Sequence, residues 1–215
     1  MKMMKYLYLL VGILALTACE QDLTEADMTN SGTLFINVDG FPAFSETAQT
    51  RSVGASDAGK TAWANGDKLL LHLSYTNDKG TQNSYSTLTY DGSTWNCSPT
   101  LALENAHSAS LTAYYAPTYS WDDNGNLIGT GGTGEFMQTT QNLTSRNVAI
   151  NFANVTRAYS RLRFASATNT QLTVTLTGFT PAGYNTSVVD NYTATLTTDS
   201  KGNAYLYGSW NEDVR

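Results

Sequence analysis

This 215-residue chain has two cysteines and two histidines, the side chains best able to act as nucleophiles, metal ligands or sites of modification. A thiol can act as a nucleophile, a metal ligand, a disulfide partner or an acceptor of lipid. Cys19 stands directly after Leu16-Thr17-Ala18, at the end of an apolar stretch. Small residues before a cysteine fit a signal-peptidase groove, and this sequence resembles the bacterial lipobox. We therefore expect Cys19 to take a thioether-linked diacylglycerol and to become the first residue of the mature chain.

The residues before Cys19 have the pattern of an export leader. Lys2 and Lys5 precede an unbroken apolar run over residues 6–16, which matches the charged and apolar regions of a signal peptide. The run is shorter than the roughly 17–25 residues that a membrane-spanning helix needs. Residues 1–18 are therefore predicted to be a lipoprotein signal peptide; an ordinary secretory leader is the alternative.

The segment after the leader is acidic and lacks apolar periodicity, so residues 19–31 are predicted to form a solvated tether. It is similar to the acidic signal that sends some lipoproteins to the outer leaflet of the outer membrane. Because two or three acyl chains anchor a protein stably, we expect a surface-exposed outer-membrane lipoprotein.

The remaining candidates for chemistry favour structural roles. With Cys19 lipidated, Cys97 has no disulfide partner, and we expect it to be a half-buried strand residue. His72 lies inside an apolar stretch and His107 opens another, without the spacing of a metal site. No Gly-x-Ser-x-Gly motif is present, and sequence spacing nominates no pair of facing carboxylates. We expect no enzyme, no cofactor and no metal site.

Two glycine- and asparagine-rich segments resemble ligand loops only superficially. Residues 122–126 suggest a calcium loop, but an EF-hand needs Gly where Leu127 stands and Glu where Thr133 stands, so we predict a turn. Residues 129–134 suggest a phosphate cradle but lack the following Lys-Ser/Thr, so we predict a flexible loop.

Composition narrows the class of protein. Removing the 18-residue leader leaves 197 residues, and because Lys2 and Lys5 leave with it, the net charge changes from −6 to about −8. This acidic balance argues against nucleic acid as a partner, since phosphate binding needs clustered cations. Only 14% of residues are charged. The many Thr, Tyr, Gly and Asn residues are typical of an extracellular β protein.

Alternation of apolar and polar residues predicts an all-β chain. In residues 33–38, Leu34, Ile36 and Val38 share one face, the pattern of a half-buried strand. No stretch has a sustained helical period. Many short strands with turns between them predict a sandwich or barrel. Further strands are predicted at 68–75, 86–90, 94–97, 108–115, 147–152, 160–164, 171–177, 192–197 and 204–207.

The chain resembles the fimbrillin family, the subunits of lipoprotein-derived type V pili. The resemblance rests on the order of the leader with Cys19, Thr50-Arg51 in a loop rich in small residues, Trp63 followed by Gly66-Asp67 before a strand, and the segments 111–117 and 152–164. It implies transthyretin-like, Greek-key β-sandwiches. We divide the chain into a sandwich over residues 32–146 and a second, incomplete β domain over residues 147–215, because only about 60 residues follow Phe152.

The resemblance also implies a mechanism. An Arg-specific protease would cut after Arg51 and release the first strand, so that Leu34, Ile36 and Val38 leave a groove. A strand from a neighbouring subunit, either another fimbrial protein or a second copy, would then fill that groove by β-augmentation. The alternatives are that Arg51 is an ordinary loop arginine and that the first strand is a permanent edge strand of the sandwich. The implied roles are structural or adhesive, in a pilus after processing, with a host or glycan ligand. In the family the donor segment lies near the C-terminus of a longer second domain, so an acceptor without that segment could be a tip or capping subunit, an anchor, or a surface protein that does not polymerise.

A carbohydrate-binding lipoprotein that does not polymerise is the alternative. Such modules present flat aromatic platforms, and the chain has thirteen tyrosines and four tryptophans: Trp63, Trp95, Trp121 and Trp210. Core packing explains most of them more simply. Two or three coplanar rings on one exposed face would favour the sugar-binding alternative.

Overall fold

Every regular element in the part of the chain that the structure describes is a β-strand, which confirms the all-β prediction. The computed structural model describes residues 30–42, 60–153, 155 and 159–210. The leader, Cys19 and Arg51 lie outside these ranges. Within them, no helix is long and apolar enough to cross a membrane.

The sixteen strands in the described ranges alternate with short turns. In chain order they are β1 (Gly32–Thr33), β2 (Phe35–Val38), β3 (Lys68–Asn77), β4 (Gly80–Tyr90), β5 (Trp95–Ser98), β6 (Ala102–Leu103), β7 (Ser108–Tyr115), β8 (Tyr119–Trp121), β9 (Leu127–Gly129), β10 (Met137–Asn142), β11 (Asn147–Ile150), β12 (Ser160–Ala165), β13 (Gln171–Leu176), β14 (Phe179–Pro181), β15 (Tyr192–Thr197) and β16 (Asn203–Trp210).

The largest sheet has five antiparallel strands in the order β10-β7-β3-β4-β5. Its central strand β3 places Leu69, Leu71 and Leu73 on one face with no solvent exposure. Alternate residues of a strand point to opposite faces, so these three leucines form the middle of one hydrophobic core. This larger core also receives side chains from the amino-terminal strands and from β11.

Strands β12, β13, β15 and β16 form one long antiparallel ribbon that is bent in the middle. Ser160 lies opposite Gly208 at one end, Leu176 lies opposite Tyr192 at the other, and the same register holds in both halves. Backbone hydrogen bonds from Ser166 to Gly202 and from Thr198 to Thr170 continue the ladder around the bend. The folded ribbon, with β14 beside β16, encloses a second, smaller core around Phe179 and Leu206.

The larger core includes residues that follow position 146, where the sequence predicts the boundary between the two domains. Val148, Ile150 and Phe152 are buried in the larger core, because β11 pairs with β2 and not with the later strands. The smaller core begins with Leu162 in β12. The chain therefore passes from one core to the other between residues 155 and 162.

The glycine-rich segment at 129–134 is not the flexible loop that its composition predicts. Gly132 donates its N–H to the carbonyl of Ala182 (2.9 Å) and accepts from the N–H of Tyr207 (2.7 Å). The hydroxyl of Tyr192 donates to the carbonyl of Gly131 (2.8 Å). The first residue of the segment, Gly129, ends strand β9, which pairs antiparallel with β8. The segment is therefore a fixed contact between the two halves of the described chain.

Candidate functional site

The amino-terminal strand lies between two parts of the chain that are distant in sequence. Strand β1 pairs antiparallel with β6, and β2 pairs parallel with β11. The change of partner occurs at Leu34, whose N–H donates to the carbonyl of Leu101 (2.9 Å), and at Phe35, whose N–H donates to the carbonyl of Arg146 (2.8 Å). The segment 32–38 therefore pairs with β6 along its first part and with β11 along its second part. Neither β6 nor β11 is connected to it by a hairpin turn.

The three apolar residues predicted to plug the core do face it. Leu34 is 6% exposed, and Ile36 and Val38 are half-buried against the larger core. Phe35 points the other way and is 62% exposed. Full burial of one such aliphatic side chain is worth about 1.5–3 kcal/mol. The strand is therefore held by apolar contacts on one face and by backbone hydrogen bonds along its edges.

Phe41, three residues after the end of β2, makes a second attachment by packing against Trp63 and Tyr115. We call these three residues the aromatic latch. The ring of Phe41 packs edge-on against Trp63 (4.7 Å between centroids) and Tyr115 (5.4 Å), and Phe41 is 8% exposed. Trp63 also packs edge-on against Trp95 (5.1 Å). Its indole N–H donates to the carbonyl of Asp39 (2.7 Å).

Polar contacts support the latch from outside. The side-chain amide of Asn151 donates to the carboxylate of Asp39 (2.7 Å), and the N–H of Asp39 donates to the carbonyl of Ile150 (3.0 Å). Burial raises the pKa of Tyr115 well above its ordinary range, and the nearby carboxylates of Asp67 and Glu135 raise it further. Its hydroxyl therefore stays neutral in the folded protein at physiological pH.

The chain leaves the latch and returns to it. Residues 43–59, with Arg51 near the middle, run between Pro42 and Lys60. The ammonium of Lys60 lies 5.6 Å from the centre of the Phe41 ring and pairs with Asp67 (2.7 Å). The two ends of the predicted processing segment thus meet at one place on the surface of the larger core.

The other candidate residues have structural environments. Cys97 is a half-buried free thiol in β5, as predicted. His72 stacks on Tyr85 (4.7 Å, 11° between planes) and lies 2.9 Å from Asn83 Oδ1. His107 Nε2 lies 2.8 Å from Asp78 Oδ1.

Residues 122–126 form a turn, as predicted. One carboxylate oxygen of Asp122 accepts the N–H groups of Asn124 (2.9 Å) and Asn126 (2.7 Å). In the described ranges, no three or more His, Cys, Asp or Glu side chains are grouped so as to hold a metal ion.

The tryptophans pack edge-on or at a tilt, which is not the arrangement of a flat sugar platform. Trp121 is tilted on Tyr85 by 56° and donates its indole N–H to the carbonyl of Ser86 (3.0 Å). Trp210 is 41% exposed and meets Phe179 at 61°. Trp63 and Trp95, which contact each other, are nearly perpendicular (85°) and so do not form a flat platform together.

Phe41 is not among the residues that the sequence singled out. The motif of Trp63 before Gly66-Asp67 was the available signal, because Trp63 is the ring against which Phe41 packs. Comparison with protein-family models, with curated proteins and with solved structures finds no match for this chain.

Proposed function

We propose that this chain is a surface-exposed lipoprotein that acts as a structural or adhesive fimbrial subunit, assembled by β-strand donation. Cys19 carries the lipid that holds the unprocessed form in the outer membrane, and Arg51 is the processing site. The partners are other fimbrial subunits or further copies of this chain. A transthyretin-like Greek-key sandwich, followed by a second β domain, is part of the same proposal.

One observation carries the proposal: an amino-terminal strand that pairs with strands remote from it in sequence completes the larger core. Leu34, Ile36 and Val38 enter that core from a segment that pairs with β6 and β11, and no tight turn connects it to either. Its only covalent continuation into the core runs through residues 43–59, which contain Arg51. A single cut there leaves the strand held by non-covalent contacts alone.

Loss of the strand would create an acceptor for another strand. It would leave unpaired backbone groups on β6 and β11, and it would uncover the apolar side chains that contact Leu34, Ile36 and Val38. A donated strand satisfies both needs, because its ladder bonds replace the lost hydrogen bonds and its alternating side chains fill the vacated pockets. A buried backbone group without a partner is costly, so the open state favours such capture.

The test is limited cleavage by an Arg-specific protease under native conditions. We expect cleavage after Arg51, and we expect mild denaturant to release the fragment that ends there while the remainder stays folded. Arg51→Ala is the matched control, because it removes the site and leaves every described contact unchanged. Intact mass and size-exclusion chromatography report the cut and the release.

A second step tests the acceptor directly. The processed protein is mixed with a fluorescent peptide covering residues 32–42, and with a control peptide in which Leu34, Ile36 and Val38 are replaced by serine. Uptake of the first peptide and exclusion of the second is the expected outcome. An uncut loop, a strand that cannot be released, or equal uptake of both peptides would refute strand donation.

A further inference from the structure

Along one edge of the bent ribbon, formed by β12 and β13, no described strand pairs; on the opposite edge β14 pairs with β16, and β15 pairs only with β13. Strands β12 and β13 pair only with β16 and β15, and their other side has no strand partner within the described ranges. An edge strand with free backbone groups is a template for pairing with another chain.

Burial decreases across the ribbon toward this edge. Leu196, Ala194 and Tyr192 in β15 are 7%, 7% and 9% exposed. Their cross-strand partners in β13 are Leu172, Val174 and Leu176, which face the same core and are only half-buried. The smaller core is therefore incompletely covered along β13.

The two strands of the open edge differ in charge. Strand β12 carries Arg161 and Arg163, which would repel a like-charged copy of itself. Strand β13 reads Gln-Leu-Thr-Val-Thr-Leu, with no charge, glycine or proline to discourage pairing. Its outward residues are Gln171, Thr173 and Thr175, and Thr175 Oγ1 lies 3.2 Å from Thr193 Oγ1 on β15.

We propose that β13 pairs antiparallel with β13 of a second copy of this chain, about a two-fold axis at Val174. In this register Leu172 lies opposite Leu176 of the second copy, and Thr173 lies opposite Thr175 of the second copy. Directly opposite residues point to the same face, so the apolar row continues from one copy to the next and the threonine row extends on the outside. A two-fold axis requires such a self-complementary strand.

A second copy fits this edge better than a charged partner does. An uncharged strand places no like charges opposite one another, although the whole chain carries a net charge of −6. The contact is one six-residue strand on each side, so it is smaller than the roughly 1,200–2,000 Å² of a standard interface. The dimer is accordingly weak and depends on concentration.

This inference does not rest on strand donation. It uses β13 and the smaller core, whereas the proposed acceptor uses β6, β11 and the larger core. The β13 dimer and strand donation can be refuted independently of each other, because the dimer needs no cleavage at Arg51.

Sedimentation equilibrium of the mature chain, residues 19–215, over a range of concentrations tests the proposal. Every sample carries Cys19→Ala, so that neither the apolar leader nor a lipid can drive association. The test variant is Thr173→Lys with Thr175→Lys, which places lysines opposite each other across the axis. The matched control is Thr193→Lys with Thr195→Lys, the same change on the same face of the neighbouring strand β15. Circular dichroism checks that both remain folded.

We expect a monomer–dimer equilibrium in the parent and in the β15 control, and a dimer dissociation constant at least about tenfold higher in the β13 variant. Hydrogen exchange on the parent gives a second measure that needs no substitution: protection of the amides of 171–176 should rise with protein concentration. A parent that stays monomeric at every concentration, or equal weakening by both double substitutions, would overturn the proposal.

Discussion

At the scale of single residues, Phe41 should contribute more to the stability of the larger core than its place at the end of a strand suggests. Its ring is 8% exposed and contacts both Trp63 and Tyr115. Phe→Ala substitutions in cores cost about 3–5 kcal/mol, and a residue at the rim belongs at the lower end of that range. We expect Phe41→Ala to lower the free energy of unfolding by about 3 kcal/mol, measured by urea denaturation.

Phe35 provides the control within the same segment. It is 62% exposed on the outward face of β2, so Phe35→Ala should change the free energy of unfolding by less than about 0.5 kcal/mol. After cleavage at Arg51, Phe41→Ala should also speed release of the strand, and Phe35→Ala should not. Equal effects of the two substitutions would mean that the latch does not hold the strand.

Three exposed turns make stability depend on pH on the acid side. Hydrogen bonds from the N–H groups of Thr94 and Ser93 hold the pKa of Asp91 well below its usual range. Side-chain and backbone groups of Asn126 lower the pKa of Asp122. The N–H groups of Asn203 and Lys201 lower the pKa of Asp199.

A carboxyl group with a lowered pKa stabilises the folded state above its unfolded pKa, about 3.9, and loses that contribution as the pH falls toward the folded value. Stability should therefore fall below about pH 4. Asp91→Asn should reduce stability at pH 7 and weaken the dependence below pH 4. Urea midpoints across this range check both effects, and an unchanged acid dependence in Asp91→Asn would contradict the assignment.

At the scale of elements, the contact between the glycine-rich segment and the smaller core should depend on the absence of a side chain at Gly132. Gly132 has φ of +92°, and a Cβ there would lie 2.3 Å from the hydroxyl oxygen of Tyr192. That hydroxyl is hydrogen-bonded to Gly131 and its ring packs on Phe179, so it cannot move freely. Gly132→Ala should therefore destabilise the smaller core, with faster hydrogen exchange in β15.

Gly80 separates the cost of crowding from the cost of backbone strain. It has a similar φ of +97°, but a Cβ there would meet nothing within 4 Å. Gly80→Ala should cost only the roughly 1–2 kcal/mol of a left-handed alanine, without faster exchange in β15. If both variants behave alike, the segment at 129–134 is not a fixed contact.

Strands with strong alternation could be predicted from the sequence, and polar edge strands could not. The bounds of β7 and β15 match the predictions because apolar residues alternate along the whole of each strand. Strand β10, Met-Gln-Thr-Thr-Gln-Asn, was missed because Met137 is its only apolar residue, so that no apolar alternation marks it, although it pairs with β7 along its whole length. For the site, alternation identified Leu34, Ile36 and Val38, whereas pairing with β6 and β11 depends on contacts remote in sequence.

At the scale of the whole molecule, the sequence indicated two β regions but not where one passes into the other. The apolar alternation at 147–152 predicts a half-buried strand, but it does not indicate which of the two cores the apolar side chains enter. The parallel pairing of β11 with β2 assigns these residues to the larger core. The sequence also did not indicate that β12 and β13 belong to one ribbon with a single register. The bend at 166–170 separates them, so each was predicted as a separate strand.

Buried tyrosines near the contact between the two cores should make the fold unstable in alkali. Burial raises the pKa of Tyr115 and of Tyr207, and the carboxylate of Glu135 raises both further. Glu135 is itself only 7% exposed. A tyrosine whose folded pKa lies above its unfolded value, about 10, stabilises the fold fully below that pH and loses its contribution as the pH rises.

We therefore expect Tyr115 and Tyr207 to ionise only as the β-sheet signal is lost. Absorbance at the tyrosinate band and circular dichroism, recorded on the same samples, follow the two processes. Tyr115→Phe should move the unfolding transition to higher pH, because it removes a group that must ionise. Tyr184→Phe, at a site 40% exposed, should leave it in place. Complete ionisation of every tyrosine with an unchanged sheet signal would show that these hydroxyls are accessible, and the burial argument would fail.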